Sequence, residues 1–89
     1  MARMNFEVMG SAGAGLHADV SGELFELGLT YSTGRDVDQD LVVAQKWFNL
    51  AALKGNREAL DYRMELAREM TEQQITIAQK RAREWLADN

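Results

Sequence analysis

The chain has no cysteine. That excludes disulfide staples, thiolate metal ligands and a thiol nucleophile, and it fits a reducing compartment such as the cytoplasm. It also lacks any apolar run approaching the roughly 18 residues that a membrane crossing requires. Near the start, Asn5 and Glu7 break up the apolar residues that follow Arg3, so a secretory signal is not expected there. His17 is the only histidine, which rules out a histidine metal cluster within one chain; alone in a glycine-rich setting, it makes a poor general base.

What remains is a chain of 89 residues, enough for one small domain with a thin stability margin. Hydrophobic residues at 46% and charged residues at 27% set it among globular proteins rather than disordered ones. The net charge of −4 disfavours non-specific attraction to nucleic acid or anionic lipid. The negative balance arises in residues 1–45, where two basic residues (Arg3, Arg35) stand against seven acidic ones (Glu7, Asp19, Glu23, Glu26, Asp36, Asp38 and Asp40); residues 46–89 carry eight basic against seven acidic. A solvated face with carboxylates at helix starts accounts for this pattern.

Residues 1–17 show no sustained period and are expected to form a flexible arm, with glycines at 10, 13 and 15. A phosphate-binding loop would end in Gly-Lys-Ser/Thr, whereas Gly15 is followed by Leu16 and His17. Helical periodicity begins near residue 20. Val20, Leu24, Leu27 and Tyr31 recur at spacings of four, three and four, which puts them on one face of a helix ending at Gly34. Asp19 or Ser21 is its expected cap.

A second helix is expected over residues 39–54, with Leu41, Ala44, Trp47, Phe48, Ala51 and Ala52 on its apolar face. Asp38 is the expected cap and Gly55 the stop. Asn56 then caps a third helix over 57–69, carrying Ala59, Leu60, Tyr62, Leu66 and Met70 on an untidy stripe. Thr71 and Gln74 form a capping box for a fourth helix over 72–87, with Ile75, Ala78, Ala82, Trp85 and Leu86. The fold class expected is all-α: a short α-α superhelix of about four helices, two stacked helical hairpins.

Leu27, Gly28, Tyr31, Gly34, Val37, Asp40, Ala44, Trp47, Phe48, Ala51, Ala52, Gly55 and Ala59 follow a spacing that resembles the Sel1-like repeat. This helical hairpin unit is related to tetratricopeptide repeats. The likeness spans residues 23–59, one full repeat and the start of another. It divides the folded region, 18–89, into a full repeat (18–55) and a degenerate repeat or C-terminal cap (56–89). Physical reasons stand beside the likeness. Gly28 and Ala44 let helices approach closely, the aromatic residues supply apolar area, Gly34 and Gly55 take turn conformations, and Val37 is placed to cover the turn. Departures exist: Glu23 stands where the family prefers alanine. In the second repeat Asp61, Arg63 and Met64 replace an aromatic residue, a leucine and a glycine, and Glu72 replaces the proline usual after the threonine.

Other constellations have plain explanations. The run Asp36-Val37-Asp38-Gln39-Asp40 begins like a calcium-binding loop, but such a loop needs glycine sixth and glutamate twelfth, where Leu41 and Trp47 stand. Ser21, Thr30, Ser32 and Thr33 sit beside helix ends as capping hydroxyls do. Lys80, Arg81 and Arg83 suit the negative end of the last helix. Trp47 and Trp85 are assigned to the core, while Met64 and Met70 fit either the core or a soft contact surface.

No catalytic, metal or cofactor constellation is read here, so no enzymatic activity is expected. The resemblance implies a protein–protein interaction module, an adaptor or scaffold, with a protein as partner rather than nucleic acid or membrane. A regulatory or self-assembling role is the alternative, with a monomer favoured and a homodimer left open. By analogy with tetratricopeptide stacks, Glu23, Glu26, Thr30, Asp61 and Glu65 would face the partner.

Overall fold

The computed structural model describes residues 20–89. They form four α-helices: α1 (Val20–Thr33), α2 (Leu41–Leu53), α3 (Arg57–Ala67) and α4 (Glu72–Asp88). No strand occurs among the described residues, so the all-α expectation of four helices holds. The expected arm, its glycines, His17 and the Asp19 cap lie outside the described residues; Ser21 falls within the first turn of α1.

Side chains and glycines set the helix boundaries. The cap of α2 is Asp40 and not Asp38. Asp40 is extended (φ −147°, ψ 104°), and its carboxylate accepts the Val43 N–H at 3.0 Å. Its own N–H donates to the Tyr31 carbonyl at 3.0 Å, which ties the start of α2 to the end of α1. Between them Gly34 (φ 74°) and Asp36 (φ 64°) adopt left-handed conformations, and Gln39 Nε2 donates to the Ser32 carbonyl at 2.8 Å.

At the other end of α2, Gly55 (φ 104°) donates to the Ala52 carbonyl, and Asn56 donates to that of Ala51. That pair of bonds is a Schellman stop. Asn56 is also the cap of α3, since its Oδ1 accepts the Ala59 N–H at 2.9 Å. The capping box of α4 is complete: Gln74 N–H donates to Thr71 Oγ1, and Thr71 N–H to Gln74 Oε1.

The central helix is α2. The other three helices each pack chiefly on it and touch one another little. Its crossing points are built from alanine: Ala44 and Ala51, with Ala59 of α3 and Ala78 of α4, are fully buried. An aromatic trio joins α1, α2 and α3, with Phe25 to Phe48 at 5.8 Å, Phe48 to Tyr62 at 5.5 Å and Phe25 to Tyr62 edge-on at 5.1 Å. Trp47 meets Trp85 edge-on at 5.9 Å and so fastens α4 to α2, and the Lys46 ammonium lies over the Trp47 ring at 4.2 Å. Both tryptophans are partly buried and pack against the core, as assigned.

Two stripes differ from expectation. In α1 the buried face is Leu24, Phe25 and Gly28, while Val20 and Leu27 are exposed. The helix is turned so that Gly28, lacking a side chain, meets the Phe48 ring and Phe25 fills the space alongside. In α3, Ala59 and Leu66 are buried, whereas Leu60 is exposed and Tyr62 is exposed despite its ring contacts. Val37 is 37% exposed, and the turn carries backbone bonds from Gly34 and Arg35 to Thr30 and the bond from the Gln39 side chain to Ser32.

Candidate peptide-binding groove

Because α3 and α4 lean on α2 rather than on each other, a concavity of about 520 Å³ opens between them. Its floor is α2, through Gln45, Asn49, Leu50, Ala52 and Leu53. At about 100° per residue, Asn49 and Leu53 lie roughly 100° and 140° round the helix from Phe48, the residue that meets α1. The groove therefore opens on a side of α2 that α1 does not cover.

One wall is α3, through Leu60, Arg63, Met64 and Ala67; the other is α4, through Ile75, Gln79, Ala82, Arg83 and Leu86. Both sets follow helical spacing. The untidy stripe of the third helix is thus two stripes. Ala59, Leu66 and, just past its end, Met70 turn to the core, while Leu60, Met64 and Ala67 turn to the groove.

The lining is apolar with a basic rim. Leu53 is 65% exposed, Met64 60% and Leu60 42%, a cluster of large apolar side chains in solvent within one concave surface. Among the described residues, Arg63 and Arg83 are the charged ones that line it. The ion pairs of the described residues lie elsewhere: Glu26 with Arg35 (3.9 Å), Glu65 with Arg68 (3.3 Å) and Glu84 with Lys80 (3.6 Å). At the floor, Gln45 is buried. Its Nε2 donates to the Arg63 carbonyl at 3.1 Å, bracing α3 against α2, while its Oε1 has no hydrogen-bond partner among the described residues.

The five partner-contact residues expected from the sequence fall outside this groove. Glu23, Glu26, Asp61 and Glu65 are exposed. Thr30 is partly buried, with its hydroxyl donating to the Glu26 carbonyl at 2.9 Å. The repeat-pattern residues divide differently: Gly28, Ala44, Phe48, Ala51 and Ala59 are buried, Tyr31, Trp47 and Ala52 partly so, Gly34, Asp40 and Gly55 shape turns, and Leu27 and Val37 are exposed. Nothing in the apolar spacing marks Phe25, Gln45 or Leu53. Met64, which fits either the core or a soft contact surface by residue type, is 60% exposed.

Among the described residues no group of three His, Cys, Asp or Glu side chains is placed to hold a metal ion. The Asp40 carboxylate of the calcium-like run is occupied as a helix cap. No helix among the described residues is long and apolar enough to cross a membrane. No family model, curated protein or solved structure matches the chain.

Proposed function

We propose that this chain is a protein–protein interaction module of Sel1-like type, an adaptor or scaffold unit, and that the groove between α2, α3 and α4 receives a helical segment of a partner protein. The observation that carries this reading is the exposure of Leu53, Leu60 and Met64 in one concave surface. Monomeric proteins rarely leave such a cluster in water without a use for it, and a groove between helices accepts an amphipathic helix well. The repeat-like spacing of residues 23–59 supports the same conclusion, because stacked hairpins work by offering helical grooves to partners. The reading assigns no catalysis. The absence of cysteine fits the cytoplasm as the setting, and the net charge of −4 disfavours nucleic acid as the partner.

Panning a displayed library of helical peptides against the chain tests this. Peptides with an apolar stripe should be selected, and Met64→Asp, a change at an exposed position, should abolish their recovery. Selection that is indifferent to Met64→Asp would refute the groove.

A second reading is self-assembly. The same groove is where a further hairpin would stack, since repeat units bury their faces against neighbours. Light scattering at rising concentration separates the two: a monomer throughout argues against assembly.

A further inference from the structure

We infer that the occupant of the groove is a single amphipathic helix of a partner protein, about three turns long, with carboxylates on both flanks of its apolar stripe. The inference rests on the groove being a docking surface, and it adds the chemistry of what docks.

Length follows from the longer wall. From Ile75 to Leu86 the α4 wall rises eleven residues, about 16 Å at 1.5 Å per residue, which matches roughly three turns of a facing helix; the α3 wall, from Leu60 to Ala67, flanks about 10 Å of that length. Charge follows from the rim. Arg63 belongs to one wall and Arg83 to the other; among the described residues no acidic side chain lines the groove and neither guanidinium has an ion-pair partner.

In a chain whose net charge is −4, two unpaired arginines bracketing an apolar trough form a local positive site. A helix laid along the trough would bury leucine-like side chains against Leu53, Leu60 and Met64, and would set one flank beside each arginine. Carboxylates on those flanks complete charge-assisted, bidentate pairs; lysines there would meet like charge. Arginine is also suited to this position because its stem can lie along apolar surface while its head reaches the rim.

The test uses synthetic helical peptides of about four turns, leucine at i, i+4, i+7 and i+11, flanked by glutamate in one and by lysine in the other. Binding to the full chain is read by fluorescence anisotropy at two salt concentrations. The glutamate peptide should bind about tenfold or more tightly than the lysine peptide, and its advantage should shrink with salt. R63E/R83E should reverse the order, and Met64→Asp should abolish binding of both.

Equal binding of the two peptides, still lost on Met64→Asp, would overturn the charge assignment while leaving the groove as a docking surface. No binding of either peptide would overturn both. Should the chain associate with itself, and R63E/R83E dissolve that association, the occupant is a second copy and not a partner protein.

Discussion

Gly28 lies against the ring of Phe48 with room for a hydrogen and none for a methyl group. A Cβ there would run into Cδ1 and Cε1 of a ring that is 1% exposed and flanked by Phe25 and Tyr62, so the ring has little freedom to swing aside. Alanine would gain about 1 kcal/mol in helix propensity, and with two ring carbons inside contact distance of its Cβ it would lose about 3 kcal/mol, the upper end of typical overpacking costs. Gly28→Ala should therefore lower the denaturant midpoint, and Phe48→Leu added to it should cost less than the two single changes summed. A Gly28→Ala chain as stable as the parent would remove Gly28 from its role as the closest approach of α1 to α2.

Gly55 offers the opposite case. Among the described residues, its chain neighbours aside, nothing lies within 4 Å of a Cβ placed there, but its φ is 104°. Gly55→Ala should cost about 1–2 kcal/mol through backbone strain alone. A neighbouring truncation should rescue none of that loss, in contrast to Gly28→Ala.

Gln45 separates hydrogen bonding from packing. Gln45→Met keeps the volume and removes the unpartnered Oε1, and the Arg63 carbonyl needs no second donor. Stability should stay within about 1 kcal/mol of the parent or rise. Gln45→Ala leaves a hole at a buried site and should cost about 1–3 kcal/mol. If methionine proved as harmful as alanine, the bond to Arg63 would be the dominant tie between α2 and α3.

Thr71→Ala removes the hydroxyl half of the α4 capping box and should cost about 1 kcal/mol. Hydrogen exchange should locate that loss in the first turn of α4, with the amides of α1 unchanged. Uniform acceleration across all four helices would mean that α4 does not open on its own.

Much of this architecture could be read from residue order. Four helices follow from the apolar spacing, and the stops at Gly34 and Gly55 and the caps at Asn56 and Thr71 follow from backbone chemistry. The rotation of α1 did not. A count of apolar residues chose Val20 and Leu27, because a glycine scores nothing in such a count; yet Gly28 marks the tightest contact and Phe25 fills the space beside it. Residue order offers two aspartates two residues apart as the cap of α2; the bond from the Val43 N–H to the Asp40 carboxylate selects Asp40, and the bond from its own N–H to the Tyr31 carbonyl fixes it there.

The groove was invisible for a related reason. Periodicity says which side chains share a face, but not whether a neighbour covers that face. Leu60 and Tyr62 read as one blurred stripe until α3 is seen to present separate faces to the core and to the groove.

The reliance of α1, α3 and α4 on one shared support has a consequence for dissection of the molecule. A fragment ending at Lys54 keeps α2 with α1, its principal partner, whereas one beginning at Arg57 holds two helices deprived of the wall they have in common. The C-terminal portion should therefore fail to fold on its own. Any truncation meant to isolate the groove must carry Leu41–Leu53 with it.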